Sequence, residues 1–131
     1  MQKHNISYIH IPSLGGRRGK GINADKSNNS AWKNGSFRNY ADYAETQGFQ
    51  DGLFKLEELA HKSRTCYMCA EAVWWRCHRR IITDYLLAGG HWEVRHIMGP
   101  GKTQKAEMNE DAIVQDDGKI IYPGVQGILE L

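Results

Sequence analysis

Cys69-Ala70-Glu71-Ala72-Val73-Trp74-Trp75-Arg76-Cys77-His78-Arg79-Arg80-Ile81-Ile82 sets two thiols, a carboxylate, an imidazole and three guanidinium groups where an apolar run changes its period. Before it, Thr65 to Met68 reads as a short buried strand. After it, Trp75 to Leu87 carries apolar residues three and four apart, the spacing of a helix. Reactive side chains therefore crowd a strand-to-helix turn. In open α/β sheets ligands bind at such turns, because unpaired N–H groups at the helix N-terminus face the carboxyl end of the strand.

Upstream, Ile6-Ser7-Tyr8-Ile9-His10-Ile11 alternates and stops at Pro12, which predicts a first strand. The Gly-, Asn- and Ser-rich stretch from Leu14 to Gly35 predicts a long loop of the binding or disordered kind. Phe37, Tyr40, Ala41 and Ala44 form one stripe of a short helix from Phe37 to Thr46, with Asn34 or Ser36 as its cap. Gly48 breaks it. Phe49, Leu53, Leu56 and Ala60, with Phe54 and Leu59 widening the stripe, predict a second helix to about Lys62.

Downstream, a helix over about 74–88 is closed by Gly89-Gly90, and His91 to Met98 reads as a strand. Strands at 64–69 and 91–97 around that helix make a βαβ unit, a parallel pair with a right-handed crossover. Gly99-Pro100-Gly101 ends the regular part; Lys102 to Asp117 is polar, with a helical turn near Asn109 to Ile113. Asp117-Gly118 between Ile113-Val114 and Ile120-Ile121-Tyr122 signals a hairpin. The expectation is one α/β domain over 1–131, with a flexible loop at about 15–35 and an irregular segment at about 99–131.

Composition fits that size. The 131 residues are 40% hydrophobic and 24% charged, and no apolar run approaches the roughly 20 residues of a membrane span. Met1-Gln2-Lys3-His4-Asn5 has no signal-peptide apolar segment, so the expected address is cytoplasmic, with no membrane partner. A net charge of +2 is too small to argue for nucleic acid by itself. Its distribution says more: Arg17, Arg18 and Lys20 form one basic cluster and Arg76, Arg79 and Arg80 another, which suits an anion if the two meet. Three cysteines do not suit a disulfide framework.

Cys66-x-x-Cys69 with Cys77-His78 has the donors of a structural zinc site, but the geometry argues against it. Adjacent residues on a helix point about 100° apart, and a strand sends Cys66 and Cys69 to opposite faces. Cys66 is read as a core cysteine and no metal ligand is assigned. Cys69 followed by Arg76 resembles only in part the anion-cradling loop of phosphatase and rhodanese-like enzymes. The gap is one residue too long, and Val73-Trp74-Trp75 replaces the small residues that would close backbone N–H groups around an anion. Cys77, beside Arg76, His78 and Arg79 at a helix start, has surroundings that favour a thiolate, while burial against a sheet is its plain structural explanation. Glu71 is either exposed, paired with Arg79 or Arg38, or held for proton transfer.

Cys-Ala-Glu, a short gap, Cys-His-Arg and an apolar helix together resemble the bacterial and archaeal domain-of-unknown-function family 488. Tyr8-Ile9-His10-Ile11-Pro12-Ser13-Leu14-Gly15-Gly16 is similar to its strand ending in Leu-Gly-Gly, and Phe37-Arg38-Asn39-Tyr40-Ala41-Asp42-Tyr43 to its Phe-x-x-Tyr-x-x-Tyr helix. Phe49-x-x-Gly52-Leu53-x-x-Leu56-x-x-Leu59-Ala60, His96-Ile97 and Tyr122-Pro123 follow in order, so the resemblance runs from about Ile6 to Pro123. By that comparison the chain lacks the family's opening strand, helix and strand, and Ala106 stands where a histidine is often found. The resemblance implies a Rossmann-like three-layer α/β sandwich with a small, mainly parallel sheet, N-terminally truncated. It implies an enzyme-like pocket but no established reaction, substrate or cofactor. It gives Cys69, Glu71, Cys77, His78 and Arg79 as motif residues, with Gly15, Gly16, Arg17, Arg38 and Tyr40 for the rim.

The leading expectation is an enzyme or enzyme remnant acting on an anionic, nucleotide-like or nucleic-acid ligand. Arg76 and Arg79 with Arg17 or Arg38 hold the anion beside Tyr40, Glu71 or His78 moves a proton, and Cys69 or Cys77 serves as nucleophile. A non-catalytic nucleic-acid or protein interaction module is the second reading, and a structural zinc domain the third. A sheet edge left bare by the shortened front predicts a homodimer.

Overall fold

Asn34 begins the first helix: its side-chain carbonyl accepts from the N–H groups of Ser36 and Phe37, at 2.8 and 3.4 Å. In the computed structural model, which describes residues 5–16, 27–68 and 78–123, that helix is α1 (Gly35–Ala44). Thr46 caps the next, α2 (Gln47–Lys62), through its hydroxyl and Phe49 N–H. The third, α3 (Arg79–Ala88), ends at Gly89, and Gly90 takes a positive φ of 75°. All three helices lie where apolar spacing puts them, except that the expected start of α3 before Arg79 falls outside the described residues. Phe54 does not widen the α2 stripe: it is 64% exposed.

Among the described residues there is no mainly parallel, Rossmann-like sheet: four short strands make two antiparallel pairs, β1 (Arg95–Gly99) with β2 (Lys102–Lys105), and β3 (Ile113–Val114) with β4 (Ile120–Ile121). The strand read at 91–98 is real over its second half. However, Gly101, at φ +69°, turns the chain straight back, so Arg95 faces Lys105 and His96 faces Gln104. A strand satisfied by its sequence neighbour leaves no parallel βαβ unit. The hairpin signalled by Asp117-Gly118 forms as read, with Gly118 at φ +85°.

Residues 6–11 and 64–68 carry β-favouring side chains but pair with nothing in a ladder, and Ile6, Tyr8, Ile9 and Met68 lie exposed. β propensity expresses packing against cross-strand neighbours, and alternation without a neighbour does not make a strand. Cys66, read as a core residue, is an exposed thiol for the same reason. The expected loop at 15–35 falls partly outside the described residues, as residues 17–26 are not among them. No helix among the described residues is long and apolar enough to cross a membrane.

The core is helical. Tyr40, Ala41 and Ala44 of α1, Phe49, Leu53 and Leu56 of α2, and Ile81, Ile82, Tyr85 and Leu86 of α3 are buried together, with Ile120 and Tyr122 closing over them. Ring pairs bind the layers: Phe49 meets Tyr85 at 4.9 Å and Tyr40 edge-on at 5.9 Å between centroids. Trp92 donates from Nε1 to Glu57 at 2.9 Å and lies 4.7 Å from the His61 ring, tying the chain after α3 to the end of α2.

Polar groups close the far end. Tyr122 N–H donates to Asn29 Oδ1 at 2.9 Å, Tyr122 C=O accepts from Ala31 N–H at 2.9 Å, and its hydroxyl donates to Asp84 Oδ2 at 2.8 Å. Asp84 Oδ1 accepts Asn109 N–H at 3.0 Å. The Asn29 amide donates to Asp42 at 2.7 Å and to Glu45 at 3.0 Å. Burial lifts the Asp84 carboxyl above its ordinary 3.8, against the hydrogen bonds from Asn109 and Tyr122 that pull it down. Burial also lifts Glu45 above 4.5, with the Asn29 hydrogen bond opposing and the Asp42 charge adding to the rise.

Both carboxyls hold their protons more tightly in the folded than in the unfolded chain. Their contribution to stability is therefore greatest below about pH 4 and falls as pH rises through the raised values. Urea unfolding at about pH 4 and about pH 7 should show a smaller fall for Asp84→Asn than for the wild type. Asp84→Ala, which strips Tyr122 O–H and Asn109 N–H of their acceptor, should cost about 1–3 kcal/mol at neutral pH.

Candidate functional site

Pro12 presets the φ angle of a single 3₁₀ turn, Pro12–Leu14, in which Leu14 N–H donates to Ile11 C=O at 3.0 Å and Gly15 N–H to Pro12 C=O at 2.9 Å. Two tyrosines three residues apart on α1 hold this turn. The Tyr40 hydroxyl donates to Leu14 C=O at 2.9 Å and the Tyr43 hydroxyl to Ser13 C=O at 2.6 Å. From the other side the turn sits directly on α2, because Gly52 has no side chain there. A Cβ on Gly52 would strike Ser13 Oγ and lie 3.1 Å from Leu14 Cγ.

The turn so fixed delivers Gly16 to His78. A Cβ on Gly16 would lie 2.7 Å from His78 Cε1 and 2.9 Å from Cγ, so only glycine lets the backbone rest against the imidazole. The His78 ring also contacts Tyr40, with centroids 4.9 Å apart. His78 stands at the N-terminal boundary of α3, where its C=O accepts from the N–H groups of Ile81 and Ile82 at 3.0 and 3.3 Å. An imidazole, a glycine backbone and a tyrosine ring from three separate segments thus meet at the positive end of a helix.

The two arginines that follow His78 go different ways. The Arg80 guanidinium lies over the Trp32 ring, 4.8 Å from its centroid, while Trp32 stacks on Phe37 at 5.2 Å. The Arg79 charge acts on Tyr67 and His96. Tyr67, hydrogen-bonded to the Thr83 hydroxyl, is raised by burial, with that bond and Arg79 opposing. His96 is lowered first by burial and then by Arg79, so its imidazole is neutral near pH 7.

Of the residues read from the sequence, the fold brings together His78, Tyr40 and Gly16 and puts Arg79 one residue away. The Arg38 guanidinium lies 3.9 Å from where a Cβ on Gly35 would sit, beside the start of α1. Cys69, Glu71, Arg76, Cys77 and Arg17 lie outside the described residues, as does any pairing of Glu71 with Arg79 or Arg38. Ala106, expected as a histidine by resemblance, is a buried core residue whose N–H donates to Val94 C=O at 2.8 Å.

Sequence reasoning gave no role to Asp84, His96, Tyr122 or Trp32. Together with Arg80 and Thr83 they border a cavity of about 520 Å³ between α3 and the β1–β2 hairpin. One signal was available: Asp84 interrupts a run, Ile81 to Leu86, buried at every position, and a carboxylate placed so needs partners.

The family model described as Domain of unknown function DUF488 matches residues 1–86, a span holding the Pro12–Leu14 turn, Gly16, both turn-anchoring tyrosines, Gly52 and the His78-Arg79-Arg80 run. No curated protein and no solved structure matches the chain.

Gly16→Ala forces a methyl against His78 and should cost about 1–3 kcal/mol in denaturant unfolding while moving the His78 ring resonances in NMR. Tyr43→Phe, which removes one hydroxyl from Ser13 C=O, should cost only about 0.5–1.5 kcal/mol.

Proposed function

The chain belongs to the DUF488 family, whose domains have no known function, and from that premise we propose that it binds a nucleotide-like anion at residues 69–79, leading into α3. The observation that carries this is the meeting of Gly16, Tyr40 and His78 at the helix start. A family's separate motifs converge on a site more readily than on an arbitrary stretch of core, and a helix N-terminus opening on Arg79 attracts negative charge. In this proposal Arg76 and Arg79, with Arg17 or Arg38, hold the anion beside Tyr40. His78 or Glu71 moves a proton, and Cys69 or Cys77 supplies the nucleophile. The cysteines, Glu71, Arg76 and Arg17 enter by sequence position alone.

Unpaired residues 5–10, with Ile6, Tyr8 and Ile9 exposed, support the accompanying proposal of a homodimer. Sedimentation at high micromolar concentration should show it, and a purely monomeric chain overturns it.

The binding test is calorimetric titration with AMP, ATP, inorganic phosphate and a short single-stranded DNA at two salt concentrations. A nucleotide should bind saturably, and Arg76→Gln should weaken it by about tenfold. His78→Asn should spare binding and lower any turnover. Failure of every nucleotide and of phosphate to bind would falsify the proposal. DNA binding that collapses with salt, without turnover of any nucleotide, favours the interaction module instead.

A further inference from the structure

The β1–β2 hairpin stands largely clear of the helical core. From Arg95 to Lys105 only His96 is buried, and β2 is exposed at every position. We propose that this hairpin is a DNA-binding arm, a two-stranded ribbon that lies in the major groove of duplex DNA and holds it by its phosphates. This inference does not rest on the anion site at 69–79, which shares no residue with the hairpin.

Between positions 95 and 105 stand the permanent cations Arg95, Lys102 and Lys105, and no carboxylate. The register sets Arg95 directly opposite Lys105. Like charges so placed weaken a ladder, so nothing in the hairpin's own stability asks for the pair, whereas an anion lying across it does. The ammonium groups of Lys102 and Lys105 form no hydrogen bond or ion pair among the described residues. Arg95 pairs with Glu93 at 2.8 Å, but both side chains are more than half exposed, and such a pair yields readily to a phosphate. Carboxylates resume at Glu107, just past the base, which confines the contact to the ribbon itself.

Shape selects the polyanion. Side chains alternate across a ladder, so Arg95, Ile97, Thr103 and Lys105 share one face. Lys102 lies opposite Gly99 beside the turn, three residues from Lys105, which sets the two lysines about 10 Å apart along the strand. The major groove of B-DNA is about 12 Å wide and admits a two-stranded ribbon, so cations at both ends of the ladder reach phosphates on its two walls. Between them Ile97, 67% exposed, and Thr103 meet base edges, Ile97 suiting a thymine methyl group. A-form RNA offers no such seat, because its major groove is narrow and deep. A bilayer fits less well too. Ile97 and Met98 lie down the ladder from the turn and Lys102 sits beside it, so a membrane would take in an ammonium before either apolar chain.

NMR titration of the full chain with a short DNA duplex tests this. Backbone signals of residues 95–105 should move saturably, with a Kd of about 10⁻⁶–10⁻⁴ M, and log affinity should fall with log salt at a slope of about −2 to −3. Lys102→Gln combined with Lys105→Gln, two exposed changes, should weaken DNA at least about fivefold and flatten that slope by about 2. An RNA duplex of the same sequence should bind at least about threefold more weakly than DNA. The double variant should keep whatever nucleotide binding the wild type shows, and because DNA on the hairpin also answers to salt, the DNA arm of the calorimetry above is read on this variant. The proposal is overturned if DNA moves no signal in 95–105, if the double variant binds DNA as the wild type does, or if the RNA duplex matches DNA. It is equally overturned if phosphatidylserine vesicles move these signals and DNA does not, or if the double variant loses nucleotide together with DNA. Failure of every nucleotide to bind the wild type, with these DNA results intact, removes the anion site alone.

Discussion

Everything at the far end of this molecule converges on Tyr122. Its N–H, C=O and hydroxyl reach Asn29, Ala31 and Asp84 respectively, so one residue joins the segment before α1, the middle of α3 and, through Asp84, the Asn109 turn. The two two-stranded ladders among the described residues are marginal alone and do not tie the segments together. What a continuous sheet does elsewhere, holding distant segments in register, is done here by a buried polar network over a helical core. The network is satisfied where it matters: both Asp84 oxygens and the Asn29 amide have partners.

At the opposite end of α3 the logic is steric. Tyr40 and Tyr43 grip the carbonyls of the Pro12–Leu14 turn, Gly52 gives it room, and Gly16 then meets the imidazole. Pieces that look like loose motifs in the sequence, a Leu-Gly-Gly, a pair of spaced tyrosines, a Gly-Leu in a helix and a His-Arg, are consecutive links of one mechanical chain ending on His78. That gives a physical reason for them to occur together. Arg79 and Arg80 leave this point toward different partners, so adjacent arginines do not act as one patch.

The helices were legible because their signals are local. Asn34 and Thr46 are caps, Gly89-Gly90 is a stop, and apolar spacing names the buried faces. The hairpin at Asp117-Gly118 was legible for the same reason. The parallel sheet was misread because Ile6 to Ile11 and Thr65 to Met68 show strand character that only a neighbour can realise, and whether a neighbour exists is not a local property. The strand at 95–99 was found, but its direction of pairing was decided by Gly101. Of the candidate site, His78 and Tyr40 were identified and do meet. Asp84 and Tyr122 escaped notice as a pair because 38 residues separate them and neither sits in a polar motif.

The separation between Asn29 and Tyr122 is larger still, at 93 positions. Contacts so far apart in sequence are slow to form, since a long loop must close before any stabilisation is returned. Helices α1 and α2 with the Pro12–Leu14 turn need only neighbours, and they are in a position to assemble early. The Asp84 carboxylate, whose second oxygen is met only by the Tyr122 hydroxyl, therefore gains that partner last, when the final described segment folds back over α3.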